Sequence, residues 1–206
     1  MVYQLTTRDI NLLIVKFNPE TRNYEKKEII KTVKHKKDKI FLILEGVVYL
    51  CAENDNFDRS ILKVFTRGDF LSYPMLLTEE HGACYFVAKK PVKAVYFDKK
   101  QTLGALSEDE DLYKKISGAI GEQFENDILT HCFILQQKTI RGKLKAYFKN
   151  ERLRQQSERI KVPIPYSDLA DYLGVDRSAM MKELTKLKSE GLIEESSHKR
   201  ISTFFD

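Results

Sequence analysis

The sequence predicts an α+β protein: an N-terminal antiparallel β-roll, one long helix, and a C-terminal third of short helices closed by two strands. Three patterns predict it. Short apolar runs broken by turn residues fill the chain from Asp9 to about Asp98. An apolar stripe at helical spacing follows Ser107. Between Pro165 and Gly191, two helical patterns meet at Gly174. With 206 residues, 42% apolar and 32% charged, the chain is long enough for one large or two small domains.

The candidate strands of the roll are Leu12–Phe17, Tyr24–Val33, Lys39–Leu44, Val47–Ala52, Ile61–Phe65, Tyr85–Ala88 and Val92–Phe97. Their alternation and β-branched content suit an antiparallel sandwich or barrel, with turns at Glu45-Gly46, Asn54-Asp55-Asn56, Arg67-Gly68-Asp69 and Lys89-Lys90-Pro91. The N-terminus lacks a basic flank ahead of a long apolar region, and no apolar run approaches the ~20 residues of a membrane span, so a cytoplasmic protein away from membranes is expected. Cys51, Cys84 and Cys132 are odd in number and far apart. They read as buried thiols, not as a disulfide framework or a metal-ligand pair.

At Ser107 the period changes from strand-like to helical. Ser107 can cap the new helix, and Glu108, Asp109, Glu110 and Asp111 put negative charge on the positive end of its dipole. Leu112, Ile116, Ile120, Phe124, Ile128 and Leu135 then keep 3–4-residue spacing, with His131 or Cys132 filling the remaining turn. Part of this stripe packs on the chain's own sheet. It is too long for one small roll to cover, and the remainder is expected to meet a second copy as a parallel coiled-coil seam, giving a homodimer. A further amphipathic helix over Thr139–Asn150 buries Ile140, Leu144, Tyr147 and Phe148. The polar stretch Glu151–Lys161 then leads to Pro163 and Pro165, which block helix continuation.

In the last third, Leu169, Ala170 and Leu173 give a short helix one apolar face, and Gly174 can take the φ > 0 that ends it. The next helix starts either way from a fixed point: Asp176 can cap it, and Met180, Leu184 and Leu187 form its buried stripe. The first residue of the preceding helix stays open between Pro165 at the first turn and Ser167 as cap. The free face of the second helix carries Arg177, Ser178, Met181, Lys182 and Thr185, a set of donors, hydroxyls and soft apolar groups suited to base edges and thymine methyls. Two helices joined by a tight glycine turn are the helix-turn-helix design. After Gly191, Leu192–Glu195 and Ile201–Phe204 read as the two strands of a wing, with Lys199 and Arg200 near its tip. Charge agrees: residues 1–137 hold 20 Lys and Arg against 20 Asp and Glu, whereas residues 138–206 hold 15 against 10. That excess favours a phosphate backbone.

The string Leu169-Ala170-Asp171-Tyr172-Leu173-Gly174-Val175-Asp176-Arg177-Ser178 resembles the helix-turn-helix of the cyclic-AMP receptor protein and fumarate-nitrate regulator superfamily of bacterial transcription factors. Phe41–Leu50 and Thr66-Arg67-Gly68-Asp69-Phe70 are similar to the hairpin and the Gly-Asp-Phe turn of its cyclic-nucleotide-binding β-roll, a double-stranded β-helix. The resemblance implies a β-roll sensor over residues 1–106, a dimerisation helix over 107–137 and a winged helix-turn-helix over 138–206. It implies a homodimer on double-stranded DNA with an inverted-repeat site, RNA polymerase as a further partner, and a small-molecule effector or none. Arg177, Ser178 and Lys182 align with base-reading positions, with Met181 and Thr185 on the same face; Lys186, Lys199 and Arg200 suit phosphate. An effector pocket is assigned to Tyr73, Cys84, Phe124 and Ile128.

The chain departs from that pattern directly after Phe70. Ser72-Tyr73 stands where cyclic-nucleotide binders carry a Gly-Glu pair for the ribose, and no arginine occurs between Arg67 and Arg141 to meet the cyclic phosphate. The superfamily's other sensors find no better match. An iron–sulfur cluster needs about four cysteines, and a haem would have only His35, His81, His131 and Cys132 as conspicuous axial candidates. No cofactor is assigned. Tyr73, His81 and Cys84 could in principle form an enzyme site, but no motif sets a base and an orienting group at useful spacing, and there is no P-loop, G-x-S-x-G or paired metal motif. The expectation is a regulator without catalysis.

Overall fold

The structure is a computed structural model that describes residues 5–30, 39–53, 59–71, 84–196 and 200–205. The chain forms two compact units, residues 1–126 and 127–206. They are taken in turn.

The first unit opens with helix α1 (Thr7–Phe17) and continues through strands β1 (Glu20–Tyr24), β2 (Ile29–Ile30), β3 (Lys39–Glu45), β4 (Val48–Glu53), β5 (Arg59–Phe65), β6 (Cys84–Ala88) and β7 (Val92–Asp98). Helix α2 (Lys99–Ser107) and helix α3 (Glu110–Leu135) follow. The strands pair antiparallel in two sheets, β1-β7-β3 and β2-β6-β4-β5. Between the sheets lies a core that includes Phe41, Ile43, Leu50, Phe65, Leu71, Phe86 and Tyr96. A second core, with Ile10, Leu13, Leu42, Phe70, Val95, Phe97, Leu112 and Ile116, joins the outer face of β3 and β7 to α1 and α3. β3 and β7 are therefore covered on both faces. Alternate residues of each go to different cores, which is why they read as unbroken apolar runs in the sequence.

Five of the seven expected strands are present at or within two residues of their predicted bounds, but the first is overturned. Leu12–Phe17 lies in α1, whose start is fixed by a reciprocal capping box: the Asp9 backbone N–H donates to Thr6 Oγ1 at 3.2 Å, and the Thr6 N–H donates to Asp9 Oδ2 at 3.0 Å. The Tyr24–Val33 strand is divided, since Tyr24 ends β1 and Ile29–Ile30 form β2; its remainder, like the Asn54-Asp55-Asn56 turn, lies outside the described residues. The helical pattern begins at Lys99, not after Ser107. Ser107 ends α2, its hydroxyl donating to the Gly104 carbonyl at 2.6 Å, and the cap of α3 is Asp109, which accepts from the Leu112 N–H at 3.1 Å.

Two glycine turns hold the roll in register. Gly46 has φ 100°, and a Cβ there would stand 2.3 Å from the Pro91 carbonyl oxygen, so only glycine fits between β3 and β4. At the Gly-Asp-Phe turn Asp69 accepts from the Thr66 N–H at 2.7 Å. The chain then runs beside β3, with Leu71 N–H donating to the Phe41 carbonyl at 3.0 Å. Gln123 of α3 completes this edge: its amide accepts from the Phe70 N–H and donates to the Phe70 carbonyl, each at 3.0 Å.

The second unit contains the end of α3, helix α4 (Ile140–Gln155), strand β8 (Arg159–Lys161), helices α5 (Tyr166–Leu173) and α6 (Arg177–Ser189), and strands β9 (Ile193–Ser196) and β10 (Arg200–Thr203). Thr139 is the cap of α4, accepting from the Gly142 N–H at 3.0 Å, so Thr139 is not its first residue, and Ile140 is half-buried where full burial was expected. Leu144, Tyr147 and Phe148 are buried as predicted. The stretch Glu151–Lys161 is not simply polar linker. α4 runs on to Gln155, and β8 adds a third strand to the wing, in the order β8-β10-β9.

Candidate nucleic-acid interface

The geometry of α5 and α6 follows from a few local choices in the chain. Pro165 stands at the N-cap of α5, with no side-chain cap hydrogen bond, and Tyr166 is the first helical residue, so neither Pro165 in the first turn nor Ser167 as cap is what the structure shows. Gly174 takes φ 59° at the end of α5, and its N–H closes on the last turn. Asp176 then caps α6 by accepting from the Ala179 N–H at 2.8 Å. Met180, Leu184 and Leu187 are buried to 0%, 1% and 0% exposure, so the roll angle of α6 about its axis is set by its apolar stripe.

That roll angle leaves Arg177, Ser178, Lys182, Thr185 and Lys186 exposed and Met181 half-buried on the outer face. Among the described residues, no ion pair or hydrogen bond occupies the side chains of Arg177 and Lys182. Their donors are open to a ligand. Thr185 Oγ1 donates to the Met181 carbonyl at 3.0 Å, and Lys186 lies 3.9 Å from Glu183. A pair that long and exposed is weak, so Lys186 can turn to phosphate at small cost.

Residues that the sequence reading did not single out hold this face in place. Arg141, the second residue of α4, donates through Nε to Glu183 at 2.5 Å and through both Nη atoms to Glu190 at 2.8 Å. It thereby pins α6 at two carboxylates; the Arg141 hydrogen bonds draw the Glu190 carboxyl below its ordinary range, against a small desolvation effect. Lys143 Nζ caps α5 by donating to the Leu173 carbonyl at 2.8 Å. Tyr166 donates to Glu195 at 2.8 Å, joining α5 to the wing, and burial together with that carboxylate pushes its phenol well above its usual value. None of these pairs is short in sequence, and no periodicity marks them. Arg200 is exposed at the start of β10, whereas Lys199 lies outside the described residues.

Of the residues assigned to an effector pocket, three lie among the described residues. Tyr73 lies outside the described residues, as do His81 and the rest of segment 72–83, and Cys84 begins β6. Phe124 and Ile128 sit one turn apart on α3, exposed to 40% and 46%. Of the cysteines read as buried thiols, Cys51 is buried and Cys132 is exposed, because the α3 stripe runs through Ile134 instead at that level. Among the described residues, no group of three or more His, Cys, Asp or Glu could hold a metal ion, and no helix is long and apolar enough to cross a membrane.

Comparison with known proteins gives this arrangement its relatives. The family model of the cyclic nucleotide-binding domain matches residues 21–109, and that of the Crp-like helix-turn-helix domain matches residues 140–203. No curated protein matches by sequence. Among solved structures, a cyclic nucleotide-binding domain containing protein from Listeria monocytogenes EGD-e is similar with TM-score 0.79 at 17% identity, covering 94% of this chain and 97% of its own. A CooA mutant from Carboxydothermus hydrogenoformans gives 0.74 at 18% identity over 98% and 94% of the two chains. FixK2 from Bradyrhizobium japonicum gives 0.68 at 18% over 91% and 93%. At such identities the structures speak for a shared fold, and the two domain models supply the family. With a cyclic nucleotide-binding domain followed by a Crp-like helix-turn-helix domain in one α+β chain, the protein belongs to the cyclic-AMP receptor protein and fumarate-nitrate regulator superfamily of transcription regulators.

Proposed function

We propose that the chain acts as a homodimer that binds duplex DNA at an inverted repeat through the outer face of α6, without catalysis of its own. The observation that carries this reading is the state of α6: its apolar stripe is fully buried, while Arg177 and Lys182 on the opposite face are exposed and, among the described residues, unoccupied. A guanidinium and an ammonium so placed can meet guanine O6 and N7, and Met181 beside them can meet a thymine methyl. Residues 107–137 serve as the dimerisation helix between a sensor at 1–106 and the DNA-binding domain at 138–206. RNA polymerase is the expected protein partner of the bound dimer.

The sensor is read as one that does not take a cyclic nucleotide. This rests on Ser72-Tyr73 in place of the Gly-Glu pair and on the lack of arginine between Arg67 and Arg141. Calorimetry with cyclic AMP and cyclic GMP is expected to show no saturable binding at micromolar concentration; tight binding of either would overturn this part. Random duplexes offered to the protein test the main reading. A regulator enriches a subset of sequences, in a salt-dependent way, whereas an enzyme or a binder of acidic proteins enriches none.

A further inference from the structure

The ion-pair cluster that Arg141 makes with Glu183 and Glu190 runs between two helices, not along one. Arg141 is the second residue of α4, Glu183 stands in the middle of α6, and Glu190 is the C-cap of α6. The two glutamates are seven positions apart, so they lie on one side of α6, two turns from each other. The guanidinium directs three donors at them: Nε at Glu183 at 2.5 Å, and the two Nη atoms at the two oxygens of Glu190, each at 2.8 Å. Lys186, 3.9 Å from Glu183, belongs to α6 itself and therefore fixes nothing between the helices.

The apolar stripe of Met180, Leu184 and Leu187 decides which side of α6 is buried, but burial is non-directional and resists a small roll of the helix weakly. A roll of ~10° moves a side-chain tip at the outer radius of a helix, ~5–6 Å, by about 1 Å. That exceeds the ~0.5 Å within which a recognition group must be held. A planar fork on two carboxylates two turns apart opposes both roll and slide of α6, since either motion stretches its hydrogen bonds. Lys182 is the chain neighbour of Glu183, so the ammonium offered to a base moves with the carboxylate that Arg141 holds. The α4 end of the clamp is tied to α5 as well, because Lys143 donates to the Leu173 carbonyl at 2.8 Å.

We infer that Arg141 is a positioning residue for base recognition: it touches no base, and through Glu183 and Glu190 it holds α6 at the roll and height at which Arg177 and Lys182 reach base edges. This rests on the DNA-binding reading above and adds to it a residue on another helix that governs selectivity, not general affinity for DNA. Lysine cannot stand in for it, because an ammonium is a point charge without the fork that fixes two carboxylates at once.

The test uses the full chain and the duplex it enriches from a random pool, together with single-base variants of that duplex and one unrelated duplex, titrated at several salt concentrations. Arg141→Lys conserves charge. It is expected to lower the affinity ratio between preferred and substituted bases by about threefold to tenfold at the positions read by α6, a part of what a well-placed contact discriminates. Affinity for the unrelated duplex and the salt slope stay as they are. The pair Glu183→Gln with Glu190→Gln lowers the ratio likewise, and adding Arg141→Lys to that pair changes nothing further, as a residue acting through those carboxylates requires. The inference is overturned if Arg141→Lys keeps every base preference, whatever its melting temperature, since the clamp would then be a stabilising contact alone. It is overturned too if Arg141→Lys costs preference in the Glu183→Gln, Glu190→Gln background, or if Arg141→Gln weakens all duplexes alike and lowers the salt slope by about 0.9, the mark of a direct phosphate contact. If the unmodified protein enriches no duplex at all, the DNA-binding reading fails and takes this inference with it; if it binds selectively and Arg141→Lys selects the same bases, only this inference fails.

Discussion

Arg177 stands first on α6, next to a carboxylate that could have neutralised it. Asp176 is already engaged, accepting the Ala179 N–H at 2.8 Å as the helix cap. With that partner committed, the Arg177 fork is free to take guanine O6 and N7 together, a contact worth about 1–3 kcal/mol of discrimination. Arg177→Ala is therefore expected to flatten the preference at one base pair of each half-site, measured over single-base variants of the bound duplex; a uniform loss with every preference intact would assign it to phosphate. Asp9 is a residue of the opposite kind, buried and saturated. The Thr6 hydroxyl at 2.6 Å is the main influence holding its carboxyl below the usual range, burial opposes this, and Lys115 at 3.1 Å adds to it. Because the folded value is depressed, the unfolded chain takes up the proton first as pH falls. The stabilisation is present in full above the ordinary aspartate value of about 3.9 and is lost below it. Asp9→Asn should cost about 2 kcal/mol at neutral pH in urea denaturation, the worth of hydrogen bonds to a charged group, and the difference from the parent should shrink below pH 4.

At the scale of elements, Gln123 is the informative case. Its amide serves the Phe70 backbone as a neighbouring strand would, satisfying both N–H and C=O from a helix. Gln123→Leu leaves both groups without a partner and is expected to cost about 1–3 kcal/mol, seen as a lower urea midpoint at unchanged m-value. Gln123→Glu keeps the acceptor for Phe70 N–H and should fall between the two. Such a pairing, 53 residues apart, has no signature in the chain. By contrast the α5–α6 pair was legible almost to the residue, because glycine at φ > 0, an aspartate cap and an apolar stripe are local devices that tertiary context did not override. α1 was misread although its signals were present. Leu12–Phe17 is an apolar run broken only by Lys16, and that outweighed the Thr6–Asp9 capping box and the helical spacing of Ile10, Leu13, Ile14 and Phe17. β8 is three residues long and alternates only once, too short for periodicity to reveal; it is paired because β10 offers it an edge.

At the scale of the whole molecule, α3 changes role along its length. Leu112 and Ile116 are buried in the outer core of the roll at 8% and 6% exposure, while Phe124 and Ile128 on the same helix remain at 40% and 46%. An exposed stripe of this kind on a helix is what a second copy would cover. Phe124→Asp with Ile128→Asp should shift the protein towards monomer in analytical ultracentrifugation at micromolar concentration and weaken duplex binding, while each half keeps its own fold. A dimer joined by α3 has two copies of α6 related by a two-fold axis, and symmetry of the protein must then appear in its site. The most direct measurement is the form of the duplex that the protein enriches from a random pool. The account predicts an inverted repeat whose half-site centres lie about one helical turn, ~34 Å, apart; enrichment of a single unsymmetrical element, or of no element, would contradict it.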